Sequence, residues 1–186
     1  MPLTRIQSLG ITDGTIVNAD INASAAIDGT KLTGVGKVLQ VVSTTVSAAL
    51  ALSVTSSYSD ITGLSASITP SSSANKILIL YKILMCNTSG GNGTIRLNRN
   101  GTAIGLGDAG TGQQATVSMN FANSNNYWAF DFGGSFLDSP SSTSALTYKF
   151  TVRNEFSTTV HFNRTSRLAS DDILGISTIT LMEIKG

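Results

Sequence analysis

The sequence predicts an all-β chain, with a β-sandwich or jelly-roll head over residues 37–186 and an extended amino-terminal arm over residues 1–36. Three observations lead there. Of 186 residues, 25 are Ser, 23 Thr and 13 Asn, and such side chains compete for backbone hydrogen bonds, favouring turns and extended segments over helix interiors. Beyond Gly36, apolar residues alternate or run in short blocks of strand length, broken by turn-forming residues. Before it, the aliphatic residues are spaced in a way that suits neither helix nor strand. A chain of this length accommodates one ordinary domain and an arm, rather than two full domains.

In the arm, Ile6, Ile11, Ile16 and Ile21 recur every five residues; Ile27 follows after six and Leu32 after five more. Five residues carry a helix through about 500°, and an odd step flips a strand's face. ITDGTI at 11–16 and IDGTKL at 27–32 form a short echo around an Asp-Gly turn signal. Ordering a residue's backbone costs about 1–2 kcal/mol, whereas burying an aliphatic side chain contributes about 1.5–3 kcal/mol. Six such side chains cannot order the arm alone. Three parallel copies around an axis would supply three of them to each layer, making these six residues candidates for attachment and for a trimer axis. A disordered linker with scattered isoleucines is the alternative.

The head reads as strands in sequence. KVLQVVSTTV, 37–46, is β-branched and unbroken. SAALALSV, 47–54, favours strand over a short helix. ITGLSASITP, 61–70, alternates through Leu64, Ala66 and Ile68 until Pro70. KILILYKILM, 76–85, is apolar on both faces apart from Lys82, the pattern of a central strand covered on both sides. TIRLNRNGTAIG, 94–105, sets Ile95 and Leu97 against Thr94, Arg96 and Asn98, with Asn100-Gly101 fitting a two-residue type I′ hairpin. ATVSMNF and YWAFDF supply two more strands across a Gly-rich loop. ALTYKFTV, 145–152, buries Leu146, Tyr148, Phe150 and Val152, and ILGISTITLMEI, 173–184, closes the chain. Seven to nine short strands result, which is sandwich or jelly-roll organisation.

Charge narrows the function. Twelve Lys and Arg against eleven Asp and Glu leave +1, too balanced to steer the chain to nucleic acid or an anionic membrane. Between Val38 and Asn75 the sole charge is Asp60, so part of that surface is expected between subunits. Val38–Ser59 is uncharged over 22 residues, but nine are Ser or Thr, which excludes membrane insertion as a helix. MPLTRIQSLG lacks the apolar core of a secretory signal; any route out of the cell is expected to be independent of such a signal, which suits release by lysis.

Little points to catalysis. Cys86 is the one cysteine, leaving no disulfide framework and no multi-thiolate metal site. His161, the one histidine, lies in TTVHFN with Val160 and Phe162 on the opposite face, and reads as an exposed strand or loop residue without a nucleophile motif. Asp171-Asp172 is the only adjacent acidic pair of the carboxy-terminal half, and neighbouring aspartates point apart. GLGDAGTG, 105–112, lacks the Lys-Ser/Thr ending of a phosphate loop. Five Asn-x-Ser/Thr triplets, at Asn22, Asn87, Asn92, Asn100 and Asn163, read as chance in so Asn-rich a chain. No catalytic residue, metal ligand or cofactor is assigned. Recognition, if present, is expected on head loops: Leu106–Gln114, Asn123–Tyr127 and Asn163–Asp172, with Tyr127, Arg164, Arg167, Asp171 and Asp172 as receptor candidates.

DGTIVNADINASAAIDGTKL, the following GKVLQVV, SYSDITGLSASITPSSSANKILILYKI and the terminal STITLMEI together resemble segments of bacteriophage tail-fibre and other virion structural proteins, particularly of phages of marine bacteria. Residues 94–170 match in rhythm more than in letters. The resemblance implies a homotrimer with a jelly-roll head similar in outline to trimeric heads of the tumour necrosis factor type, and it brings no catalytic residues. The expectation is a non-enzymatic tail fibre or receptor-binding appendage, held to another tail or capsid protein by its arm and meeting a host-surface protein or glycan by its head. A capsid-decorating or connector protein and a small polysaccharide depolymerase are the alternatives.

Overall fold

In the computed structural model, residues 38–87, 93–108, 110–111, 115–120, 128–167, 169–172 and 174–186 are described. They belong to one compact unit, Lys37–Gly186. The arm residues Ile6, Ile11, Ile16, Ile21, Ile27 and Leu32 lie outside the described residues, as does Tyr127. Every regular element described is a strand: β1 (Val38–Val46), β2 (Leu50–Val54), β3 (Ser59–Ile68), β4 (Lys76–Asn87), β5 (Gly93–Arg99), β6 (Thr102–Ile104), β7 (Ser118–Asn120), β8 (Phe130–Asp138), β9 (Leu146–Asn154), β10 (Thr158–Phe162) and β11 (Ser177–Ile184). All pairings are antiparallel, and the chain is a β-sandwich of the jelly-roll kind.

The first sheet is built on β4. One of its edges pairs with β8 along Ile77–Met85. The other is shared, with β11 along Lys76–Lys82 and β10 along Met85–Asn87. Outside these, β1 flanks β11 and β2 flanks β10. The second sheet runs β3-β9-β5-β6, with β7 on β5. Alternation turns Ile77, Ile79, Ile83, Ile179, Leu181, Val160 and Phe162 of the first sheet inward against Leu64, Ile68, Ile95, Leu97, Tyr148, Phe150 and Val152 of the second. Tyr81 meets Phe150 across the sandwich, ring centroids 4.8 Å apart.

Where β4 passes from β11 to β10 the sheet forks, and Asn163 closes the fork. It follows β10, is 1 % exposed and holds φ at 60°, a left-handed conformation that Asn tolerates better than most residues. Its backbone N–H donates to the Leu84 carbonyl at 2.9 Å and its carbonyl accepts from Gly175 N–H at 3.0 Å. The side-chain amide donates to both Val46 and Ala48 carbonyls at 2.9 Å, at the kink between β1 and β2, while Oδ1 accepts from Ser177 Oγ at 2.7 Å. Ser177 Oγ in turn accepts from Leu84 N–H. The backbone groups left over by the fork are thereby satisfied.

Two buried carboxylates tie other corners. Glu183, 1 % exposed, accepts from Gln40 Nε2 (2.6 Å), Asn75 Nδ2 (2.6 Å), and both the backbone N–H and Oγ of Ser71 (2.7 Å each). Burial opposes its ionisation, but these donors outweigh it and hold the carboxyl down to about 2. Asp138, ending β8, receives the Arg99 Nη1 at 2.8 and 2.7 Å and the Tyr148 hydroxyl at 2.7 Å, joining the two sheets. Burial, then the Asp138 carboxylate, pushes the Tyr148 phenol well above its ordinary range.

Several expectations are corrected. There are eleven strands among the described residues, more than seven to nine, because the stretch around His161, read only as strand or loop, forms β10 between β4 and β2. The strand expected in YWAFDF begins at Phe130 and continues through Gly133-Gly134 to Asp138; a Cβ at Gly134 would lie 2.7 Å from the Tyr81 hydroxyl, so the glycines admit that ring. The last strand starts at Ser177, since Gly175 is held by Asn163 outside the ladder. Among the described residues, the outer face of β4 is not fully covered: Leu80 is exposed on it. His161 is half-buried rather than exposed, because it stands beside Cys86 in the β4–β10 pairing. The Asn100-Gly101 hairpin turn forms as expected, with φ of 49° and 85°, and residues 50–54 are strand.

Asn163→Ala is expected to lower the unfolding free energy by at least about 3 kcal/mol in denaturant titration, since it removes three side-chain hydrogen bonds and leaves two carbonyls unmet in a buried fork. Glu183 favours its ionised form when folded, so its contribution is complete above the ordinary carboxyl value of 4.5 and is lost as pH falls toward 2. The melting temperature should therefore drop across that window in the parent, and Glu183→Gln should flatten the drop while lowering the neutral-pH value.

Candidate functional site

The outer face of the second sheet carries a polar depression of about 320 Å³ lined by Tyr58, Asp60, Arg96, Asn98, Lys149 and Thr151, with Gly101 and Ala103 at the hairpin side. Strand alternation builds it. Because Ile95 and Leu97 of β5 point inward, Arg96 and Asn98 point outward; because Tyr148, Phe150 and Val152 of β9 point inward, Lys149 and Thr151 point outward. Register then places Arg96 beside Thr151 and Asn98 beside Lys149.

A bulge in β3 supplies the carboxylate. The pairing with β9 jumps from Asp60↔Thr151 to Ser65↔Lys149, with Gly63 at φ 78°. Ile61 and Leu64 both remain buried despite a spacing of three, and Asp60 is left facing Lys149, Oδ2 to Nζ 2.7 Å. Both partners are solvent-accessible, so the pair adds little to stability.

Tyr58, just before β3, lies over the same face. The Arg96 guanidinium sits 4.0 Å from its ring centroid and the Arg153 guanidinium 6.0 Å away. The Tyr58 hydroxyl is 3.0 Å from Thr94 Oγ1. Arg96 Nε donates to the Ala115 carbonyl at 2.9 Å, which fixes the guanidinium plane. Among the described residues neither Arg96 nor Arg153 has a carboxylate partner, and Arg153 Nε is buried without a hydrogen bond. On the floor, Asn98 Nδ2 donates to Thr151 Oγ1 at 2.9 Å. Donors and acceptors thus mix in the depression, and positive charge is in excess.

The sequence-derived receptor candidates fall elsewhere and serve their own loop. Arg164 donates from Nε to the Thr165 carbonyl at 2.8 Å and from Nη2 to the Ser166 carbonyl at 3.0 Å. Arg167 Nη2 pairs with Asp171 at 2.9 Å and Asp172 at 2.6 Å. Asp172 also accepts from Thr165 Oγ1 and the Ala169 N–H; Arg167, then that N–H, bring its carboxyl down to about 2. Arg164, Arg167, Asp171 and Asp172 are brought together, but their polar atoms are largely engaged within residues 164–172. The whole Asn123–Tyr127 turn, Tyr127 included, lies outside the described residues.

The Cys86–His161 pair was not anticipated. The two are directly opposed across β4 and β10; burial raises the Cys86 thiol and lowers the His161 imidazole, the latter also through the Arg164 charge. Both shifts favour neutral, unreactive forms. The depression was missed for a different reason. The polar residues alternating with Ile95 and Leu97, and with Tyr148 and Phe150, were legible, but their adjacency depends on pairing strands about 50 residues apart.

No protein-family model matches the chain, and no curated protein matches it. Among solved structures, those of infectious bursal disease virus, Gx strain and Gt strain, are each 12 % identical, with TM-scores of 0.38. The matches cover 78 % and 79 % of this chain but 40 % and 38 % of those chains, so the chain spans about two-fifths of their length. A likeness of that depth carries no inference about function.

Lys149→Gln should change the unfolding free energy by less than about 1 kcal/mol, as befits an accessible pair. Arg99→Gln, which strands the buried Asp138 carboxylate, should cost about 3 kcal/mol or more. Urea titrations of both variants separate the depression from the structural tie on the same strands.

Proposed function

We propose that this protein is a virion appendage, a phage tail fibre or receptor-binding protein, that binds rather than catalyses: residues 1–36 dock on a neighbouring tail or capsid protein, and the head meets a host-surface glycan or protein. The observation that carries the reading is the opposite character of the sandwich's two outer faces. On the first sheet, register aligns Val41, Met182, Leu78 and Leu137 in an apolar row across β1, β11, β4 and β8. Val41 is 54 % exposed and Leu137 48 %, with Leu80 beside them. A face like that suits contact with further copies of the chain. On the second sheet lies the cationic, hydroxyl-lined depression, suited to a polar ligand.

The resemblance of residues 13–32, 36–42, 57–83 and 177–184 to phage virion proteins supports the same assignment. It also supports a homotrimer, and with it assembly in the host cytoplasm and release by lysis; the balanced charge of +1 argues against nucleic acid or an anionic membrane as partner. In this reading the outer face of the second sheet replaces the Arg164–Asp172 loop as the principal contact surface, because the loop's polar groups are largely engaged within residues 164–172. A capsid-decorating protein would use the apolar face alone, with many copies on each particle.

Light scattering of the purified chain should give three times 19.3 kDa, and Val41→Lys with Leu137→Lys should reduce that mass. Purified protein should bind cells of the bacterium that the parent phage infects and compete with phage adsorption. Absence of competition, together with a particle map showing the chain distributed over the capsid, would transfer the assignment to decoration.

A further inference from the structure

Resting on the reading of the chain as a host-surface binder, we propose that the depression on the second sheet takes an acidic saccharide, its carboxylate held by Arg96 and Lys149. The volume of about 320 Å³ lies at the lower end of small-ligand sites, which span about 300–1,000 Å³, and suits a single sugar ring with its substituents better than an extended polymer. Asn98 Oδ1, with no partner among the described residues, and the Asp60 carboxylate accept from sugar hydroxyls; the hydrogen of Thr151 Oγ1, which already accepts from Asn98, is left to donate. The lining is therefore matched to hydroxyls that both give and receive.

Charge selects an acidic ring among saccharides. Arg96 is oriented by Ala115 and by the Tyr58 ring, yet no carboxylate of the described residues pairs with it. A guanidinium fixed in plane and unpaired is preorganised for a carboxylate. Lys149 holds Asp60 at 2.7 Å, and an incoming carboxylate would displace that accessible partner. Asp60 is thus both the acceptor for hydroxyls and the competitor of the ligand's acid group. Arg153, 6.0 Å from the Tyr58 ring centroid on the same face, adds to the positive field.

The test is calorimetric titration of the full chain with a glucuronate-containing disaccharide, the same disaccharide reduced to the neutral sugar, inorganic phosphate and a single-stranded oligonucleotide. The acidic disaccharide should bind at least about tenfold more tightly than its neutral form, the scale of one charge-assisted hydrogen bond. Arg96→Gln and Lys149→Gln should each erase most of that preference without altering the circular dichroism spectrum, and Asp60→Asn should increase affinity for the acidic form. Equal affinity for acidic and neutral sugars, or a preference unchanged in both cation variants, overturns the proposal. Phosphate binding as tight as the disaccharide would reduce the site to an anion site, and tighter binding of the oligonucleotide would reassign it to nucleic acid; either result also overturns it. If the parent binds host cells while Arg96→Gln and excess glucuronate leave that binding unchanged, the saccharide proposal fails and the appendage reading stands. If the parent binds no cells but shows the Arg96-dependent preference, the reverse holds.

Discussion

The head depends on one buried amide. A six-stranded sheet in which β4 serves two successive neighbours on one edge must leave backbone groups unpaired where the neighbours change, and such groups are costly away from water. Asn163 meets them with every polar atom it has, reaching β4, the β1–β2 kink, Ser177 and Gly175 from a single left-handed position. No other side chain combines two amide donors, an acceptor, short reach and tolerance of positive φ. The Asn-x-Thr triplet at this position is therefore an accident of composition: its side chain is consumed by the fold.

Elsewhere, two buried carboxylates connect elements. Glu183 draws together β1, the β3–β4 connection and the last strand, and Asp138 joins one sheet to the other through Arg99 and Tyr148. Each carboxylate is met by several donors, which is the condition for a buried charge to be tolerated. The loop at 164–172 obeys the same rule on a smaller scale, with Asp172 gathering Arg167, Thr165 and Ala169.

The depression on the second sheet departs from that economy. Arg96 and Arg153 flank Tyr58 without a carboxylate, and the one ion pair there, Lys149 with Asp60, lies open to solvent. The β3 bulge that brings Asp60 into place interrupts an otherwise regular ladder, and bulges recur where a strand must re-aim a side chain. The opposite face of the sandwich has the reverse character, an apolar row with Lys82 and Asp131 as its nearby ion pair. One domain thereby separates a surface suited to protein contact from one suited to a polar ligand.

The sequence by itself determined the all-β class, the inward residues of β3, β5 and β9, the Asn-Gly hairpin and the central place of residues 76–85. Each of these follows from a period of two or from a turn dipeptide acting over a few residues. Strand limits at Phe130 and Ser177 were not legible, because Met85, which pairs with Phe130, and Asn163, which holds Gly175, are distant in sequence. The tertiary structure alone decided that Arg96 and Asn98 stand beside Lys149 and Thr151, that a bulge presents Asp60 to them, and that Arg164 and Arg167 are taken up by their own loop. Local alternation tells a side chain which face to occupy; only long-range register tells it which neighbours share that face.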